Sequence, residues 1–155
     1  MRHLLGLTLC GLLVACTGSP VLEADSSAQT TVDPWQLEFD MSGGFAGTIQ
    51  NALVEYTGNI RAHDKRRKVT KSATLAESDL QELTDLLESL PTSGNSLKTT
   101  PSGQSCNDCF YYQLRIARGG KEYLSAFNSL HLGTEPAAPL VRKLIEIMHQ
   151  TLELK

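Results

Sequence analysis

The sequence predicts a small α+β domain in which two helices pack on one face of a mostly antiparallel sheet. Two segments carry alternating apolar residues, the period of a half-buried strand, and two others carry apolar residues at the steps of an amphipathic helix. A Gly-Gly pair interrupts the second alternating region, where a two-residue hairpin turn is expected. The predicted order is strand, strand, strand, helix, hairpin, helix.

The first strand covers WQLEFDM, residues 35–41, where the apolar side chains occupy one face and the polar ones the other. A glycine-rich stretch follows it. Residues 48–75 then continue as strand, with Thr57-Gly58-Asn59 as the reversal between two of them.

Both helices are marked by their periodicity and by their ends. From Glu77 to Leu90, leucines recur at helical steps, acidic residues occupy the first turn, and Pro91 follows directly. Residues 91–105 are rich in Pro, Gly, Ser and Thr and predict a surface loop. The second helix begins near Pro139 and has its apolar face at Leu140, Leu144, Ile147, Met148 and Thr151.

The hairpin lies within CFYYQLRIARGGKEYLSAF, residues 109–127, where Gly119-Gly120 supplies the positive φ angles of the turn. This turn sets a register that keeps the aromatic residues on the core face. The expected pairs are Ile116 with Tyr123, Leu114 with Ser125, and Tyr112 with Phe127.

The first 15 residues predict a secretory signal peptide, because Arg2 precedes a short apolar run that is too short to span a membrane. The run ends in Leu13-Val14-Ala15-Cys16, which matches the lipobox of bacterial lipoproteins. We therefore expect Cys16 to become the lipidated first residue, anchoring the protein to a membrane. Cleavage elsewhere, leaving Cys16 an ordinary thiol, is the alternative.

Residues 16–33 comprise this cysteine and a small, polar tether, and residues 34–155 form the domain. Thr17 stands where an aspartate would favour retention in the inner membrane, so the outer membrane is the expected location in the cell envelope. The domain is long enough for one hydrophobic core. We expect a monomer.

The chain has a formal net charge of −3. A nucleic-acid-binding domain would be basic, so no nucleic-acid partner is expected. The four histidines are scattered, and the sequence contains no zinc-protease motif, nucleophile elbow or phosphate-binding glycine loop. We therefore expect no enzymatic activity, no metal and no cofactor.

Cys106 and Cys109 form a C-x-x-C motif that runs into an alternating strand. In an oxidising envelope, two thiols this close are expected to form a structural disulfide at the start of the hairpin. A thiol oxidoreductase is the minor alternative, since it requires the first cysteine at a helix N-terminus.

A basic run, HDKRRK at residues 63–68, stands out in an acidic chain. It could contact anionic lipid headgroups or an acidic patch on a partner. The preferred interpretation is a solvated strand end, or an edge strand whose lysines discourage pairing with another sheet.

The stretch SGGFAG, residues 42–47, frames one aromatic residue with three glycines. One interpretation is structural: Gly43 and Gly44 make a bulge or tight reversal, and Phe45 turns back to cover the sheet edge. The other is functional: the loop holds Phe45 out for the apolar pocket of a partner. The residues alone favour the structural interpretation.

SGGFAG, the strand pair after it, the leucine helix, DCFYYQLRIARGGKEY and the closing P-x-x-x-L helix occur in an order that resembles the emfourin family. The namesake of these small bacterial proteins inhibits thermolysin-like (M4) metallopeptidases such as protealysin. The resemblance spans about residues 35–152, whereas the lipobox, the tether and the C-x-x-C motif are additions to it.

This resemblance implies that the chain is an inhibitor whose partner is a secreted zinc metallopeptidase. Phe45 would anchor in the apolar pocket beside the zinc ion, and Gly43 and Gly44 would let the backbone approach closely. A different class of function stays open, namely a lipoprotein without inhibitory activity that binds another envelope component or assists its assembly.

Overall fold

A computed structural model describes residues 33–90 and 106–153 of the chain. The signal peptide, Cys16, nearly all of the tether and the loop at 91–105 lie outside these residues, so those predictions remain predictions. The elements are β1 (Trp35–Gly43), β2 (Thr48–Glu55), β3 (Asn59–Asp64), β4 (Val69–Thr74), α1 (Glu77–Ser89), β5 (Phe110–Arg118), β6 (Lys121–Asn128) and α2 (Ala138–Glu153).

All six strands form one antiparallel sheet in the order β4-β3-β2-β1-β5-β6. The predicted α+β class is confirmed. Strand β1 lies in the middle, bonded to β2 on one side and to β5 on the other. Each of these neighbours runs opposite to β1, so the end of β1 lies beside the starts of β2 and β5.

The core lies between one face of the sheet and the two helices. Along β1, Trp35, Leu37, Phe39 and Met41 are buried and the residues between them are exposed, which is the predicted alternation. The buried residues of both helices, apart from Ala138 and Thr151 in α2, belong to the same apolar cluster as this face. All five residues of α2 that the helical spacing predicted to face the core are buried.

Lys143 of α2 joins the two helices. Its ammonium lies 2.8 Å from Asp79 and 2.7 Å from Glu82, both in α1, and 3.7 Å from Glu146. The side chain is only 10% exposed. The hydrogen bond to Asp79, followed in importance by the one to Glu82, raises the pKa of Lys143 above its ordinary value. Lys143 therefore stays charged.

The β5–β6 hairpin has the predicted register, with Ile116 opposite Tyr123 and Tyr112 opposite Phe127. The structure differs from the expected order by one strand, because residues 48–75 contain a second reversal at 65–68 in addition to the predicted one. Residues 65–68 are all Lys or Arg, and the one turn-favouring residue that marks this reversal is Asp64 directly before it. Lys68 takes the left-handed conformation, φ +53°, that glycine usually provides.

Candidate partner-binding site

Three chain segments that the sequence singled out meet at one end of the sheet. Gly43, the last residue of β1, lies opposite Thr48 and Phe110, the first residues of β2 and β5. This brings the glycine loop at 44–47 next to the disulfide loop that precedes β5. The basic run completes the set, since residues 65–68 connect β3 to β4 at the same end. We call this surface the loop end.

Phe45 is the most exposed large apolar residue that the structure describes, with 97% of its surface accessible. It lies near the tip of a tight turn in which the Gly47 N–H donates a hydrogen bond to the Gly44 carbonyl at 2.9 Å. The expectation that Phe45 turns back to cover the sheet edge is therefore wrong. An outward Phe45 was the alternative that the residues alone did not favour, since the contacts of this loop with a distant segment are not visible in the local sequence.

Those contacts involve Gly43 and Gly44, which have φ angles of +107° and +68°. The Gly44 N–H donates to the carbonyl of Cys109 at 3.0 Å. A Cβ atom on Gly43 would overlap that same carbonyl, and one on Gly44 would come within 2.7 Å of the Phe110 ring. The structural interpretation of these two glycines as a tight reversal agrees with this geometry.

Cys106 and Cys109 form a disulfide, with their Cα atoms 5.5 Å apart. It closes a short loop directly before β5, and Cys109 is buried. Its carbonyl is the acceptor for Gly44, so the disulfide loop and the glycine loop are bonded together. A turn and then strand β5 follow Cys106. Cys106 therefore does not lie at a helix N-terminus, the position that activates a redox-active cysteine.

Four of the six residues of the basic run, 65–68, form the turn between β3 and β4. The interpretation as an edge strand is therefore wrong, and the interpretation as a solvated strand end agrees better with the structure. Asp64, buried at the end of β3, holds this turn. Its carboxylate accepts hydrogen bonds from the Arg67 backbone N–H at 2.9 Å, Gln50 Nε2 at 2.8 Å and Arg67 Nε at 2.8 Å. His149 of α2 extends the network, 3.2 Å from Gln50.

The same bonds hold the pKa of Asp64 well below its usual range, with the backbone N–H of Arg67 as the main cause. A carboxyl whose pKa is lowered on folding stabilises the fold at pH values above its unfolded pKa of about 4, and that contribution is lost as the pH falls below it. Asp64 therefore contributes fully at neutral pH.

We expect Asp64→Asn to lower the free energy of unfolding at pH 7 by about 2 kcal/mol, because a charged acceptor for three donors is lost. The difference from the wild type should shrink as the pH falls below about 4, because Asp64 then binds a proton in the unfolded chain while the folded protein resists its protonation. Urea unfolding of both proteins across this pH range measures it. A difference that stays constant with pH would contradict the assigned role.

Among the described residues, no helix is long and apolar enough to span a membrane, and no group of three or more His, Cys, Asp or Glu side chains could hold a metal ion. No protein-family model matches the chain, and a search of the curated proteins found no match either. The resemblance to the emfourin family therefore rests on the motifs quoted above.

Proposed function

We propose that the protein is a membrane-anchored envelope lipoprotein that inhibits thermolysin-like (M4) metallopeptidases and has no enzymatic activity of its own. The observation that carries this proposal is the 97% exposure of Phe45 at a tight, glycine-framed turn. Exposing a phenylalanine to water is unfavourable by about 2 kcal/mol relative to burying it. A pocket in a partner would recover this free energy, as at the hot spots of protein interfaces.

The loop also has the rigidity that an inhibitor needs. Hydrogen bonds from Gly44 to Cys109 and from Gly47 to Gly44 fix its shape before any partner binds. Pre-organisation lowers the entropy that is lost on binding. In addition, a closed turn differs from the extended conformation in which a peptidase cleaves its substrate, so the loop can occupy the cleft without being cut.

The membrane anchor fits the position of the loop. The chain leaves the predicted tether and enters β1 at Trp35, whereas Phe45 follows the other end of the same strand. A strand of this length spans about 27 Å. Lipidation at Cys16 would therefore attach the chain through the residues before β1, whereas the Phe45 loop follows the opposite end of this strand.

Titration of peptidase activity tests the inhibitor proposal. The chain from residue 17 onward, with its disulfide oxidised, is added to thermolysin and to a protealysin-type peptidase acting on a peptide substrate. We expect activity to fall in proportion to the added protein until the two are equimolar. Full activity at micromolar concentrations of the chain would overturn inhibition and favour a lipoprotein that binds another envelope component.

For the anchor, we expect Cys16→Ser to release the protein from the membrane fraction, because the thiol that carries the acyl chains is absent. Fractionation of cells expressing either form, with immunoblotting, measures this. Thr17→Ser is the matched control and should remain in the membrane fraction. An equal distribution of the Cys16→Ser variant and the wild type would contradict lipidation at this residue.

A further inference from the structure

The β3–β4 turn carries four consecutive cations, Lys65, Arg66, Arg67 and Lys68, all of them exposed. Within residues 33–90 and 106–153, Arg67 alone among the four makes an ion pair, 2.8 Å from Asp64. The chain as a whole has a net charge of −3. Like charges held this close repel one another. An anion from outside the domain would offset that repulsion.

The geometry of this turn is ordered before any ligand binds. The Lys65 N–H donates to the carbonyl of Ile49 in β2 at 3.0 Å, which holds the start of the turn against the sheet. Asp64 binds Arg67 through both its backbone and its side chain. The backbone of the turn and the Arg67 side chain are therefore ordered, and no further backbone entropy is lost when an anion binds.

A shallow depression of about 330 Å³ lies beside the turn, at the same end of the sheet as the Phe45 loop. Thr48, which directly follows the glycine loop, lines one part of it, and Arg66 and Arg67 line another. Asp64 also lines it, but its carboxylate is already engaged by three hydrogen bonds. Guanidinium groups bind carboxylates through two parallel hydrogen bonds, so this hollow suits an acidic side chain.

We infer that the loop end is a two-part docking surface, in which the basic turn binds Asp or Glu side chains on the same protein that receives Phe45. The partner would present an apolar pocket with an acidic rim. This inference rests on the proposed role of the Phe45 loop in binding a protein, but it holds whether or not that protein is a peptidase. A hollow lined by arginines fits single carboxylates better than the flat surface of a membrane.

A titration with hexaglutamate isolates the basic half of this surface. Backbone amide shifts of the isotope-labelled chain from residue 17 onward are followed at about 20 and about 200 mM NaCl. We expect shifts confined to Thr48 and residues 65–68, with binding about tenfold weaker at the higher salt. The variant Phe45→Ala should bind hexaglutamate as the wild type does, because its change lies in the apolar half.

Charge-reversed variants give the decisive comparison. Lys65→Glu/Arg66→Glu should abolish the shifts, whereas Lys121→Glu/Arg142→Glu, with the same change in net charge at two other exposed sites, should keep them. Equal loss in both variants, or shifts spread over the whole domain, would overturn the inference. Hexaglutamate binding without any inhibition of M4 peptidases would leave the inference standing while the proposed function fails.

Two further probes distinguish the source of the anion. Inorganic phosphate that shifted the same amides as strongly as hexaglutamate would assign a site for free anions instead. Vesicles of phosphatidylglycerol that bound the wild type but not Lys65→Glu/Arg66→Glu, in the absence of hexaglutamate binding, would assign a lipid-docking site. Either result would overturn the inference of an acidic protein partner.

Discussion

Phe45→Ala is expected to weaken inhibition of an M4 peptidase by about 30- to 1,000-fold, since truncating an interface hot spot costs about 2–4 kcal/mol. The same change should leave the melting temperature nearly unchanged. The side chain is 97% exposed and contributes almost no buried area to the fold. A large effect on binding with a negligible effect on stability is the signature of a contact residue.

Inhibition constants and thermal unfolding of the variant and the wild type measure the two quantities together. Tyr56→Ala is the matched control, because Tyr56 is another exposed aromatic residue but lies at the opposite end of the sheet, bonded to Trp35. It should inhibit like the wild type. A marked fall in the melting temperature of Phe45→Ala, or undiminished inhibition, would remove Phe45 from the binding surface.

Gly43→Val is expected to destabilise the fold by about 3 kcal/mol and to abolish inhibition. Its φ of +107° is unfavourable for any residue with a Cβ and most unfavourable for a β-branched one. The added Cβ would also overlap the carbonyl of Cys109, a backbone atom that cannot rotate away. The chain would have to break the bond from Gly44 to Cys109 and displace the Phe45 loop.

Urea unfolding and the inhibition assay check both expectations. Gly47→Ala provides the control in the same loop: its φ is +60°, but an added Cβ would meet no atom within 4 Å. This variant should lose only about 1 kcal/mol, the cost of a left-handed residue, and should keep most of its inhibition. Similar behaviour of the two variants would show that the contact with Cys109 does not position the loop.

The elements that the sequence predicted well are those with strong periodicity. In the β5–β6 hairpin, the Gly-Gly turn and the alternating apolar residues leave a single register that buries the aromatic face, and this register is present. In α2, the apolar residues recur at helical steps because they form the face that packs on the core. The spacing therefore identified this face. The turn at 65–68 was missed because its four residues are all cations, and the one turn-favouring residue beside it is Asp64, which binds Arg67 three residues further on.

The candidate site was predictable only in part. The sequence identified Gly43, Gly44 and the cysteine pair as structural features, but the bond between Gly44 and Cys109 joins residues far apart in the chain. The direction of Phe45 follows from that bond. The closeness of the basic turn to the Phe45 loop depends on β2 lying between β1 and β3, a strand order that a local pattern does not specify.

The central claim is that the Phe45 loop enters the cleft of an M4 peptidase. Its most direct test is the formation of a complex between the chain from residue 17 onward and a protealysin-type peptidase, measured with the cleft free and with the cleft filled by a small zinc-binding inhibitor. We predict an equimolar complex with the free enzyme and none with the filled one. Equal binding to both forms, or no complex with either, would contradict the claim.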